Sequence, residues 1–173
     1  MKDAVELKTM RALVLSLLLP SLAFGAEPDV QVAADGSVIA RILVSAPEAR
    51  IRAVIPELQG EGVNSNVLGV RRTSEGACES IRRTTRGLYR PLELHTRFCP
   101  TATGWRERLV AAGDFTAYEA DWTLRPMADG QTGVELRVLS EVNLMVPQGL
   151  LQSGTVAGVK ETLRALLSRL VMP

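Results

Sequence analysis

The apolar positions near the end of the chain, Leu151, Val156, Val159, Leu163, Leu166, Leu167 and Leu170, recur mainly in steps of three and four. That spacing predicts one greasy stripe on a long helix over residues 146–172. Pro147 suits its first turn, where the missing N–H would have had no partner. At about 1.5 Å per residue, such a helix is roughly as long as a small domain is wide, so it needs a broad apolar partner surface.

Upstream the period changes from helical to alternating. Val30, Val32, Val38, Ala40, Ile42 and Val44 alternate with other residues around an Asp35-Gly36 turn, which predicts a first long strand and a short hairpin before it. Ser45, Pro47 and Glu48 then form a helix-start pattern, with the serine as cap and the glutamate reaching back to it. Ile51, Val54, Ile55 and Leu58 put one apolar side on this short helix, Pro56 breaks it into two pieces, and Gly60 and Gly62 end it. Beyond it, strands are predicted over 65–73, 77–86, 91–99, 104–110, 114–126 and 132–143, joined by short turns, which implies antiparallel pairing. The expectation is a single α+β domain, residues 26–173, in which one curved antiparallel sheet of about seven strands grips the long C-terminal helix.

The first 25 residues read differently. Lys8 and Arg11 precede the apolar run Ala12 to Leu19, Pro20 breaks it, and Ala23-Phe24-Gly25 supplies small residues for a signal peptidase. The run is shorter than the roughly 20 residues a bilayer span requires, so a cleaved secretory signal at 1–25 is expected rather than a permanent anchor. Translation from Met1 or from Met10 is compatible with that pattern. The expected location is across the inner membrane, in the periplasm.

Removing that segment takes away three of 20 basic and two of 19 acidic residues, leaving a balance near zero. A nucleic-acid partner is not favoured by such a balance, nor is an anionic membrane, which leaves transient membrane contact as the only membrane role considered. Oligomeric state is left open by these features.

The order of elements resembles the START-like helix-grip superfamily, which includes polyketide cyclase/dehydrase-like and lipid-transfer domains. The resemblance rests on SVIARILVSAPEARIRAVI (37–55), YEADWTLRP (118–126) followed by DGQTGVELRV (129–138), and VPQGLLQSG (146–154) leading into the last helix. It implies a cavity between sheet and helix that holds an apolar small molecule such as a lipid or quinone. It implies no cofactor.

Candidate residues for that site follow from helix phase and strand register. Gly154 and Gly158 lie four apart on the long helix, where they either leave room for a ligand or let a strand approach closely. Along 114–126, Thr116, Tyr118, Ala120, Trp122 and Leu124 share the face expected to point inward; Tyr118 and Trp122 suit either a cavity wall or an aromatic core. If 87–90 is the loop of a hairpin, Glu79 opposes Phe98, Ile81 opposes Thr96, Arg83 opposes Leu94 and Thr85 opposes Leu92. Glu79 and Arg83 would then project toward the cavity, paired with each other or with ligand, or would meet water at the rim; Glu107 would join them if Trp105 and Leu109 face inward. The same register sets Cys78 opposite Cys99 on the outer face, beside Ser80, Arg82, His95 and Arg97, and export to an oxidising compartment would make that pair a disulfide.

No nucleophile, metal-ligand or CxxC arrangement is visible around the single histidine, His95, so no metal and no catalytic residue is assigned. The favoured reading is a non-enzymatic binding protein. The alternatives are a cyclase or dehydratase acting through Glu79, Glu107 or Tyr118, and an interaction module with a filled core.

Overall fold

The computed structural model describes residues 27–171; the expected signal segment and its possible start sites lie outside the described residues. The elements in chain order are β1 (Asp29–Val32), β2 (Val38–Val44), α1 (Glu48–Val54), a 3₁₀ segment (Ile55–Gln59), β3 (Val67–Glu75), β4 (Cys78–Thr85) and β5 (Leu92–Thr101). There follow β6 (Gly104–Leu109), β7 (Phe115–Pro126), a short 3₁₀ turn, β8 (Thr132–Val142) and α2 (Gln148–Val171). All eight strands form one antiparallel sheet in the order β1-β2-β8-β7-β6-β5-β4-β3, so the sheet is unclosed, with β1 and β3 at its edges. The eighth strand is β1, the short hairpin arm anticipated before the first long strand. Its turn is tied by the Asp35 carboxylate, which accepts the Ser37 amide and hydroxyl at 3.1 and 2.7 Å, and by Gly36 at φ 82°.

Alternation along each strand sorts side chains between the two faces. Val38, Ala40 and Ile42 on β2, Val134, Leu136 and Val138 on β8, and Ala120, Trp122 and Leu124 on β7 are buried on the concave face. From above, α2 presents Val159, Leu163, Leu166 and Leu170, and Ile51, Ile55 and Leu58 wedge in beside it. These groups form the main core. The helix packs mainly on β2, β8, α1 and the 3₁₀ segment, so it covers one half of the sheet and leaves the concave face of β4 to β6 beyond its reach.

Two local readings are corrected. Ser45 does not cap α1: the helix begins at Glu48 with Pro47 at the capping position and no side-chain cap bond, and the Glu48 carboxylate instead binds Arg52 one turn on at 2.7 Å. On β7, the register slips between Phe115 and Ala117, a bulge that turns Phe115 inward and leaves Thr116 exposed. From Tyr118 onward the expected face holds.

At one end of the sheet the β5–β6 turn is held by α1. Arg52 donates to the carbonyls of Thr101 at 2.9 Å and Ala102 at 3.0 Å, and the Trp105 indole returns a bond to the Arg52 carbonyl at 3.2 Å. Trp105 stacks on Phe98 with ring centroids 4.7 Å apart. Gly104 is obligatory here, because a Cβ would lie 2.1 Å from the Trp122 carbonyl oxygen.

Strands β4 and β5 pair in the expected register, Glu79 with Phe98 through Thr85 with Leu92. Cys78 and Cys99 form a disulfide across it, with Cα atoms 4.3 Å apart and 21 residues of sequence separation. Closing a loop of that size stabilises by roughly 3 kcal/mol in the chain-entropy model. Replacing both cysteines by serine should therefore lower unfolding free energy by about that amount, read from urea titrations of the two proteins, while a loss indistinguishable from zero would mean the bridge constrains nothing.

Candidate functional site

Because α2 stops short of the β4–β6 half of the sheet, a cavity of about 400 Å³ lies between them, within the size range of small-molecule pockets. Its sheet wall is apolar and aromatic, formed by Leu92, Leu94, Phe115, Tyr118, Trp122 and Val142. Phe115 and Tyr118 meet edge to face, with centroids 6.3 Å apart and planes at 87°. The helix wall comes from the N-terminal half of α2, including Leu151, Gly154, Thr155 and Val159. Leu88, Leu144, Val146 and Leu150 also line it, from the β4–β5 loop, the β8–α2 connection and the first turn of α2. Leu88 and Leu150 are 57% and 49% exposed.

A compact polar cluster sits on the wall. Arg83 is 7% exposed and Glu107 2%, and the two form an ion pair through Arg83 Nη1 and Glu107 Oε1. The Thr96 hydroxyl donates to the same carboxylate oxygen, and Gln59 Oε1 accepts from Arg83 Nη2. Register explains the meeting: Arg83 and Thr96 project from β4 and β5 on the concave face, Glu107 opposes Phe98 from β6, and the 3₁₀ segment after Pro56 folds Gln59 down over them. Burial alone would lower the Arg83 pKa, but the adjacent Glu107 charge carries it above its ordinary value, so the guanidinium stays charged.

Tyr118 lines the cavity beside this pair. Burial, reinforced by the Glu107 charge and opposed by Arg83, pushes its pKa well above the usual phenol value, so the group is a neutral donor. Among the described residues its hydroxyl has no hydrogen-bond partner. It is thus a polar handle aimed at whatever occupies the space.

The structure brings together most of the residues singled out from the sequence. Arg83, Glu107, Tyr118, Trp122, Gly154 and Gly158 all line the cavity. Glu79 does not. It shares the concave face but is bonded to Arg72 at 2.7 Å, and the fully buried Phe98 stands between it and Glu107 in the same cross-strand row. Of the alternatives open for these two residues, pairing with each other does not occur: Glu79 pairs with Arg72 and Arg83 with Glu107. The two glycines also differ: a Cβ at Gly154 would meet open space, whereas one at Gly158 would lie 2.6 Å from Asn64 Nδ2. The space at Gly154 is open, and at Gly158 the close approach is made by Asn64, a side chain rather than a strand. Gln59 and Asn64 were missed because only the path of the loop after α1 brings them in, and Phe115 was missed because the bulge reverses its face. Thr96 was placed inward by register, but its role needed Glu107 beside it. Among the described residues there is no group of three metal-ligating side chains.

These features define a START-like helix-grip fold enclosing an apolar cavity, and solved structures share that fold. A START superfamily protein from Mycobacterium smegmatis matches with a TM-score of 0.60 at 18% identity, over 78% of this chain and 99% of that one. A STAR-related lipid transfer protein from Xanthomonas axonopodis matches with a TM-score of 0.59 at 14% identity, over 84% of this chain and 99% of that one. The Zhui aromatase/cyclase from Streptomyces sp. R1128 matches with a TM-score of 0.53 at 16% identity, over 77% of this chain and 84% of that one. No family model and no curated protein matches the sequence.

The Arg83–Glu107 pair makes a direct prediction. Glu107→Leu leaves a buried guanidinium without its counter-charge and should cost about 3–5 kcal/mol, whereas the double variant Arg83→Met, Glu107→Leu should recover most of that loss. Urea unfolding of the wild type, the single and the double variant measures both quantities. A single variant within about 1 kcal/mol of wild type would show the pair to be effectively solvated.

Proposed function

We propose that the chain is an exported binding protein that holds a lipid, quinone or other apolar small molecule in the cavity between the β4–β8 face and α2. The observation that carries this reading is the combination of a sizeable apolar cavity with a polar cluster whose charges are already matched internally. An apolar body gains from leaving water, roughly 25 cal/mol for each Å² of apolar surface removed. A neutral hydroxyl or carbonyl on that body can use the free Tyr118 hydroxyl without disturbing the Arg83–Glu107 pair. Lipid transfer appears in the name of the Xanthomonas neighbour, which supports the same class of ligand.

Export is supported by the Cys78–Cys99 disulfide, a bond that persists in oxidising compartments, together with the signal pattern of the first 25 residues. Among the described residues, no helix is long and apolar enough to cross a membrane. Membrane contact on this reading is transient, made when ligand is taken up or released.

A cyclase or dehydratase role is the second reading, favoured by the aromatase/cyclase neighbour and by Tyr118 standing in the cavity. General acid–base catalysis works best with a pKa near the operating pH. Burial moves Tyr118 away from that range, and Glu107 is engaged by Arg83 and Thr96. Binding without chemistry is the better account of these groups.

Native mass spectrometry of protein recovered from its own oxidising compartment should show a discrete added mass that disappears on organic extraction. Gly154→Phe should fill the open side of the cavity and abolish that mass while leaving the fold at least as stable, since a glycine inside a helix costs about 1 kcal/mol relative to good helix formers. By contrast, Gly158→Leu should lose roughly 1–3 kcal/mol by driving into Asn64. A protein that carries no added mass, or one whose cargo is unaffected at Gly154, contradicts the assignment.

A further inference from the structure

Three of the residues lining the cavity carry charge: Arg83, Glu107 and Arg86. The first two neutralise each other, but the Arg86 guanidinium makes no hydrogen bond or ion pair among the described residues. Its backbone is fixed, because β4 ends at Thr85 and the Arg86 amide donates to the Asn66 carbonyl at 2.7 Å, holding the residue where the strand leaves the sheet at the mouth. Carboxylates close to it in sequence or pairing are occupied: Glu93 accepts the Thr84 hydroxyl at 2.8 Å, Asp114 binds Arg90, and Glu61 accepts the Val70 amide at 3.1 Å. The lining residues therefore sum to one positive unit, and Arg86, which supplies it, is an exposed residue two positions before the exposed Leu88. The N-terminal turns of α2 line the same cavity, and the positive end of the helix dipole adds potential of the same sign.

We propose that the ligand is an anionic amphiphile whose carboxylate or phosphate lies against Arg86 at the mouth, while its uncharged body enters between Leu94, Phe115 and Tyr118. This rests on the reading of the cavity as an apolar-ligand site and adds the polarity of the ligand and its direction of insertion. The matched Arg83–Glu107 pair offers an anion no net charge at the inner wall, so a ligand inserted with its acidic end inward would carry a buried charge without a counter-ion. Arg86 is thus a specificity-determining residue for this site. A guanidinium presents forked donors to either a carboxylate or a phosphate, so both are admitted on equal terms by the geometry of the group.

Decanoate, decyl phosphate and decanol distinguish these possibilities, with binding measured by calorimetry at neutral pH and low salt. The wild type should bind decanoate and decyl phosphate about fivefold more tightly than decanol, as suits an ion pair open to water on one side. Raising the salt should narrow that gap, because an exposed pair is screened. Arg86→Gln should bring the three probes to within about twofold of one another without weakening decanol, and Arg86→Lys should restore most of the preference. Arg82→Gln, at an exposed arginine of the same strand outside the lining, should leave the preference unchanged. A preference for the carboxylate alone or the phosphate alone identifies which anion the site takes. Equal binding of all three probes to the wild type, or a preference that survives Arg86→Gln, overturns the inference while leaving the apolar-ligand reading in place. If none of the probes binds, the cavity reading itself falls, and this inference with it.

Discussion

The constraint that shapes this molecule is the mismatch between one helix and eight strands. With 24 residues, α2 is about 36 Å long, enough to cross the concave face of the sheet but only about 10 Å wide. A helix of that width covers a few strands spaced nearly 5 Å apart and no more. It settles over β2 and β8, where Leu163, Leu166 and Leu170 join Ile51 and Ile55 in a continuous core. The remaining half of the concave face needs other cover, and the 3₁₀ segment and the residues after it supply only part. The cavity is what is left over. Its walls are core-type side chains because they belong to the same alternating faces that build the core elsewhere.

Within that space the polar groups are arranged so that charge is satisfied by the protein before any ligand arrives. Arg83 is held by Glu107, Thr96 and Gln59, contributed by three different elements. Such a cluster is a poor source of net stability, since desolvating both ions offsets most of their attraction, but it is intolerant of losing one member. A ligand entering the cavity would meet a wall whose charges are matched, the Tyr118 phenol, and aromatic and aliphatic surface. The exposed cation at the mouth is a separate feature, outside this network.

Much of this architecture was legible in the sequence, for reasons that differ from element to element. The β4–β5 hairpin was readable because its short loop leaves little choice of register, and once 87–90 is the loop, the Cys78–Cys99 bridge and the inward direction of Arg83 follow together. The helix stripe was readable because Val159, Leu163, Leu166 and Leu170 repeat over several turns. What failed was local or depended on chain path. A bulge at Thr116 is a one-residue event that leaves the alternating pattern intact on either side, so periodicity cannot reveal it. Glu79 and Arg83 are both charged, four apart, and on one face; only the bulk of Phe98 in the neighbouring strand separates one from the cavity and leaves the other within it. Gly154 and Gly158 are equivalent by helix phase, and the irregular segment that delivers Asn64 to Gly158 carries no periodic signal.

The central claim is that the space beside Trp122 receives an apolar chain, and the two tryptophans make that testable directly. Trp122 lines the cavity, whereas Trp105 is stacked on Phe98 outside its lining. In a Trp105→Phe variant all tryptophan emission comes from Trp122, and titration with a fatty acid brominated along its chain places a short-range quencher wherever that chain goes. The account predicts saturable quenching of Trp122 at one acid per chain, reversed by an unbrominated competitor. Emission from Trp122 that stays unquenched while the acid is shown to bind would contradict it.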